Sequence, residues 1–339
     1  MLATDPMLTQ LPKVELHVHL EGFVDTDFLF EMLMRNNSTK SLDKSELVSL
    51  FEFKNFPGFI NAFKTVVDCF KGPEDFYLLT KKALEAQAKD GVVYTETYFT
   101  PIFYTKKGID YKEIMIAINE AAKEAEKKDG IQMRLIFDAV RNFGPESVQE
   151  VFELASKDTT GRVVAVGLGG DEANFPAQAF IDQFAWAQAQ GFCGVCHAGE
   201  TAGEQSMLDA VELLNARRLG HALKIKKGSR IEEVIQTQNI SLELCPTSNL
   251  KTGQIESLKD HPFAAYMEEG YQISINSDDP GFFGSSILGE FQKMGALHNF
   301  QAADYCQLSK RAVDSSFLNR IEKDKITTKI LDHFDKWKG

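Results

Sequence analysis

The strongest constraint on this chain is an alternation: short β-rich apolar runs, each followed by a longer stretch with helical spacing. Eight such runs stand out, at Val14–His19, Val92–Phe99, Met133–Asp138, Val163–Leu168, Gly194–His197, Arg218–His221, Ser241–Leu244 and Gln272–Asn276. Strands separated by helices pair in parallel, because each crossover carries the chain back to the end from which the previous strand started. The intervening stretches are helical in pattern. Pro73–Lys89 has Pro in its first turn, Phe76, Leu79, Ala83 and Ala86 at steps of three and four, and Asp90-Gly91 where the pattern stops. Tyr111–Lys128 repeats this through Tyr111, Ile114, Ile118, Ala121 and Ala125. Eight units in 339 residues predict an α/β fold, a (β/α)8 TIM barrel whose chemistry sits on the loops after the C-terminal strand ends.

Asp25–Phe70 is too long for one crossover helix, so extra helices are expected over the C-terminal mouth, as a possible lid. No fixed repeat, linker or low-complexity tract interrupts the pattern, and loops such as Asn36–Ser45 are short; residues 1–339 are expected to form a single domain. Asp314–Gly339 reads as an amphipathic helix packed on the barrel.

Charge narrows the partners. Lys and Arg number 37 against 49 Asp and Glu, and a net charge of -12 offers no electrostatic footprint for a phosphate backbone or an anionic membrane. No apolar run approaches the roughly 20 residues that cross a bilayer. Met1–Leu11 lacks the basic and apolar regions of a secretory signal, so a cytoplasmic location is expected. The cysteines at 69, 193, 196, 245 and 306 are an odd, sparse set, which reads as reduced thiols.

The polar residues that look out of place stand where the apolar runs stop. His17 and His19 are two apart in a strand and so point to one side, as a chelating pair or as two histidines bonded in a polar pocket. Cys193-Gly194-Val195-Cys196-His197 matches the attachment signature of c-type haem, and its C-x-x-C could be a redox dithiol. A strand position sets the two thiols on opposite sides, which favours small buried cysteines. The other reading takes His197 as a third ligand and Glu200, on the loop beyond, as an acid or base. Asp278 and Asp279 close the eighth run and would repel unless a cation sits beside them, although Asp-Asp-Pro is also an ordinary turn sequence. Three histidines and one carboxylate suit Zn²⁺ with an open position for water. Gly169-Gly170-Asp171-Glu172 places no Lys at the fourth strand end to bridge two metals, so one zinc per chain is expected.

Leu11-Pro12-Lys13-Val14-Glu15-Leu16-His17-Val18-His19-Leu20-Glu21-Gly22, His197-Ala198-Gly199-Glu200, Gly220-His221, Cys245-Pro246-Thr247-Ser248-Asn249 and Ser277-Asp278-Asp279-Pro280 together resemble the adenosine and adenine deaminases, in family order and over nearly the whole chain. The resemblance implies a zinc-bearing (β/α)8 barrel that hydrolyses the 6-amino group of a purine, a small-molecule substrate. By it, His17, His19, His197 and Asp278 hold zinc, and Glu200 protonates the ring nitrogen beside the attacked carbon. His221 takes a proton from the attacking water or stabilises the hydroxide. Asp279 orients that water, and the Gly170 backbone contacts the purine. The zinc deaminases that use H-x-E followed by P-C-x-x-C are a different class, since no second Cys follows Cys245 three residues later.

For the substrate, the resemblance points in two directions. Glu21 stands where adenosine deaminases have an Asp that faces the sugar, and Glu there resembles adenine deaminases and several nucleoside deaminases. Phe56-Pro57-Gly58-Phe59-Ile60-Asn61-Ala62-Phe63 resembles the apolar lid helix of adenosine deaminases, with Phe59 and Phe63 on one face, although plain helix packing would produce the same pattern. Tyr98 replaces a common Arg and could alter the sugar side. Adenosine and 2'-deoxyadenosine are the first expectation, with adenine or a 5'-modified adenosine such as aminodeoxyfutalosine as alternatives. A silent metal-binding sensor is disfavoured, because Glu200, His221 and Asp279 are all present.

Overall fold

In the computed structural model, which describes residues 5–36 and 44–338, eight parallel strands form one sheet in the order β1 to β8. They are β1 (Lys13–His19), β2 (Val92–Phe99), β3 (Gln132–Val140), β4 (Val163–Gly169), β5 (Cys193–Ala198), β6 (Ala216–His221), β7 (Ser241–Leu244) and β8 (Ile273–Ile275). Every expected run is a strand, with ends displaced by no more than two residues. Most of the loop expected at Asn36–Ser45 lies outside the described residues.

The seam where β8 meets β1 is built differently from the other pairings. β8 is three residues long, and one bridge, Val18 to Asp278, joins the two edges. Asp278 N–H donates to His17 O at 3.1 Å, and His19 N–H donates to Asp278 O at 2.9 Å. Side chains complete the seam. Asn276 Oδ1 accepts from the Leu16 and His17 N–H groups at 2.9 and 3.0 Å, and Glu15 Oε1 accepts from Ser277 N–H and O–H.

These bonds hold a β-bulge. β1 advances three residues from Glu15 to Val18 while β2 advances two from Thr95 to Thr97. Glu15 therefore turns outward to Gln87, whereas His17 and His19 turn into the barrel. Inside the barrel, Tyr98, Ile136, Ala165 and Val195 pack together with Phe317, which comes from the turn joining helices Ala302–Ser315 and Arg320–Lys338.

Three helices precede the β1–β2 crossover helix Pro73–Lys89, as expected for Asp25–Phe70: Thr26–Arg35, Lys44–Leu50 and Phe56–Val67. The last begins where Asn55 Oδ1 accepts from Gly58 N–H, with Pro57 in its first turn. The C-terminal helix Arg320–Lys338 buries Ile326 and Ile330, and Trp337 Nε1 donates to Asp5 Oδ2, which ties the two ends of the described chain together. No helix among the described residues is long and apolar enough to cross a membrane.

Because Asn276 satisfies two buried amides at once, Asn276→Ala is expected to lower unfolding free energy by about 2–4 kcal/mol. Urea denaturation measures this, and a change below about 0.5 kcal/mol would mean the bulge does not depend on that side chain.

Candidate active site

The inward residues at the C-terminal strand ends converge on one cluster. His19 Nε2 lies 3.3 Å from His197 Nε2, and both His17 Nε2 and His19 Nε2 lie 3.4 Å from Asp278 Oδ1. Two donors bound at about 2.0–2.1 Å to one tetrahedral ion stand about 3.3–3.4 Å apart, so these spacings fit a single zinc-sized cation. His17 Nε2 is buried with no hydrogen-bond partner, which is the condition of a nitrogen that faces a ligand. Two further groupings surround this one: His17, His221, Cys245 and Asp278, and His19, Asp278 and Asp279.

Electrostatics separate the roles. Burial lowers His19 and His221 to about 4 and His197 well below the usual histidine value, so these imidazoles are neutral, and those of His19 and His197 keep a lone pair for a cation. Burial would lower His17 too, but Asp278 and Glu243 outweigh it and raise His17 to about 10. A proton there competes with a cation for the same nitrogen. Burial would raise Asp278, yet the surrounding histidines hold it far below the carboxylate range. Asp279 and Glu200 go the other way: burial, with the Asp278 charge beside them, pushes both carboxyls well up. The adjacent aspartates thus divide into an ionised ligand type and a group that holds a proton. Glu200 Oε2 lies 3.8 Å from His221 Nε2, which in turn lies 3.9 Å from Asp278 Oδ2.

Local backbone explains why these residue types stand there. His221 and Asp278 have φ of 67° and 64°, left-handed conformations that turn the chain sharply at the ends of β6 and β8. Gly220 makes room beside them, since a Cβ there would lie 2.6 Å from His17 Cε1.

The sequence assigns no role to several partners, although Asn249 stands in a motif that carries the resemblance. Glu243 on β7 lies 2.7 Å from His17 Nδ1. Asn249, from the Cys245-Pro246-Thr247-Ser248-Asn249 turn, donates through Nδ2 to His221 Nδ1 at 3.0 Å, which leaves the neutral ring's proton on Nε2. Arg141 donates to His197 O at 2.6 Å. Glu172 accepts from the N–H groups of Gly199, Glu200 and Thr201 and from Ser206 O–H, and so shapes the loop that carries Glu200. Asp138, at the end of β3, faces the cavity beside Gly167 and Gly169; burial raises it to about 8. An inward position near a strand end was its only trace in the sequence.

The cluster floors a cavity of about 620 Å³. His19, His197, Glu200, His221, Asp278 and Asp279 line its depth, Gly170 lies on its wall, and Phe59, Phe63, Phe103 and Phe143 line its apolar outer part. Phe59 and Phe63 also pack edge-on or tilted against Phe282, so lining the cavity and packing the helix are one arrangement.

Two residues fall elsewhere. Glu21, expected to face the sugar, stands behind the wall: its Oε1 accepts from Thr100 N–H and Tyr104 O–H, and the side chain is almost fully buried. Tyr98, to which the sequence assigns no role beyond an influence it could have on the sugar side, lies fully buried beneath His17 and His19 and donates to Glu243 Oε2 at 2.8 Å. Cys193 and Cys196 are free thiols on β5; Cys193 packs in the barrel interior and Cys196 in the layer between strands and helices.

Comparison with known proteins gives the family and the fold. The family model described as adenosine deaminase matches residues 12–333. The chain is similar to an aminodeoxyfutalosine deaminase of Streptomyces avermitilis, 35% identical over 330 residues that cover 96% of this chain and 92% of the relative. It is also similar to an adenine deaminase of Crocosphaera subtropica, 31% identical over 321 residues covering 94% and 98% of the two chains. Among solved structures, an amidohydrolase from Burkholderia ambifaria with bound Zn superposes with a TM-score of 0.91 at 22% identity, covering 99% of this chain and 94% of that one.

Since a Cβ at Gly220 would displace the His17 ring, Gly220→Ala is expected to weaken the binding of any metal ion held by this cluster, probed with Zn²⁺, by at least about tenfold while the protein still folds, at a cost of about 1–3 kcal/mol. Chelator competition and thermal unfolding read the two effects, and unchanged zinc affinity would mean His17 does not need its present place.

Proposed function

Because the chain belongs to the adenosine deaminase family, we propose that it hydrolyses the 6-amino group of an adenine nucleoside, releasing ammonia and leaving the 6-oxopurine. The observation that carries this reading is the cavity floor itself: the neutral imidazoles of His19 and His197, the partnerless Nε2 of His17 and an ionised Asp278 at single-cation spacing, with the high-pKa carboxyl of Glu200 beside them. His17, His19, His197 and Asp278 would hold one zinc ion, the metal of the Burkholderia structure. When bound it supplies Lewis acidity and a lowered pKa for water at the open position.

The remaining steps belong to the protein. Glu200, held protonated by burial, donates its proton to the ring nitrogen beside the amino-bearing carbon and makes that carbon electrophilic. Of the two roles open to His221, the hydrogen bond from Asn249 favours the donor: Nε2–H points to the attacking oxygen and stabilises its developing charge. Asp279 orients the attacking water, and the Gly170 backbone meets the purine from the cavity wall. Burial of these groups excludes bulk water, which strengthens each interaction.

The cavity supports a nucleoside over the free base, because free adenine would leave the outer apolar part unfilled. Adenosine fits that requirement. A second reading, a 5'-modified adenosine such as aminodeoxyfutalosine, is favoured by the wall of Phe59, Phe63, Phe103 and Phe143, which offers apolar surface beyond a ribose, and by the substrate in the name of the Streptomyces relative. Glu21 does not line the cavity; it bonds the Thr100 N–H, and Thr100 does line it.

Ammonia release by zinc-loaded protein, measured on adenine, adenosine, 2'-deoxyadenosine and 5'-aryl-substituted adenosines, tests the reading. Nucleosides are expected to lead and adenine to be poor; no ammonia from any of them would favour a silent metal-binding protein. Glu200→Gln is expected to keep zinc while losing about 10²-fold or more in rate. Loss of zinc instead would make Glu200 a ligand.

A further inference from the structure

The His17 ligand atom is set by a buried network that reaches the opposite end of the barrel. His17 Nδ1 and the Tyr98 hydroxyl both bond Glu243 Oε2, at 2.7 and 2.8 Å. Arg218 Nε pairs with the other oxygen, Glu243 Oε1, at 2.6 Å. Arg218 is itself held by Glu96 Oε2 at 2.5 Å, by the Ser315 carbonyl and by the ring of Phe317, 4.2 Å from its guanidinium carbon. Glu96 Oε1 accepts from Tyr94 O–H and from Phe317 N–H. The side chains of His17, Glu243, Glu96 and Arg218 are all at most 1% exposed.

Such a network has one consequence at the cavity. An imidazole that gives its Nδ1 proton to a carboxylate presents Nε2 as a lone pair, and outer partners of this kind orient a metal-binding histidine. We propose that Glu243 is the positioning residue of the cation site: it holds His17 by Nδ1 so that Nε2 faces His19, His197 and Asp278, while Tyr98 and Arg218 hold Glu243 by its two oxygens. The inference rests on the reading of His17 as a ligand. It gives Tyr98 and Arg218 a place in the site: the Tyr98 hydroxyl bonds Glu243 Oε2, and Arg218 sets a positive charge beside Oε1. The turn at Ser315–Phe317 thereby becomes part of the site's support, although it lies beneath the barrel floor.

Glu243→Gln tests this, because the amide replaces one acceptor oxygen with a donor and at least one of its three partners loses its bond. Zinc affinity by chelator competition is measured for wild type, His17→Ala and Glu243→Gln, with circular dichroism and thermal unfolding as controls of folding. Glu243→Gln is expected to fold and to bind zinc about 10–100-fold more weakly. Wild-type affinity in His17→Ala overturns the site reading together with the inference. Loss in His17→Ala beside wild-type affinity in Glu243→Gln overturns the inference alone. Should Glu243→Gln not fold, long-range proton–nitrogen correlation on zinc-loaded wild-type protein decides: a proton on His17 Nδ1 supports the proposal, and a proton-free Nδ1 overturns it.

Discussion

The rest of the structure depends on how the sheet closes between β1 and β8. At that seam the ladder is reduced to a single bridge, and the residue that makes it, Asp278, presents its carboxylate to His17 and His19 on the strand it joins. Closing the barrel and assembling the ligand cluster are therefore one event. Asn276 and Glu15 make the event specific: they pin a bulge that turns two histidines inward and one glutamate outward. A seam of ordinary pairing would place Glu15 on the same face as the histidines.

The site gathers groups that would not share a low-dielectric pocket without compensation. Four histidines and three carboxyls lie within a few contacts of one another, and their environments push them apart in protonation: three neutral imidazoles, a fourth raised by the carboxylates beside it, one ionised aspartate, and an aspartate and a glutamate that retain protons. Separation of this kind in a cleft is the physical mark of acid–base chemistry. A divalent cation would complete it by balancing Asp278 and meeting the partnerless Nε2 of His17.

The barrel and the cluster were legible in the sequence because both are local signals. Apolar runs of the right length mark strands, and polar residues at their C-terminal ends mark the mouth. Glu243, Arg218 and Asp138 were not legible. Each sits inside or at the end of an apolar run, where alternation says only that it points inward, and the partners of Glu243 and Arg218 lie on other strands. For a related reason the sequence leaves Tyr98 without a role and sets Glu21 at the sugar. Position at a strand end fixes the face but not the depth: Tyr98 lies one layer below the cavity, and the Glu21 side chain bends back to Thr100 and Tyr104. The outward turn of Glu15 required the bulge, which depends on an asparagine about 260 residues away, a separation of 259 to 260 positions for its two bonds.

The most direct test of this account is anomalous diffraction at the zinc edge from crystals of the zinc-loaded protein. It predicts one strong peak bounded by His17 Nε2, His19 Nε2, His197 Nε2 and Asp278 Oδ1, each at about 2.0–2.2 Å. A principal peak elsewhere, for instance at Cys193 and Cys196, or none in the cluster at full zinc loading, would contradict it.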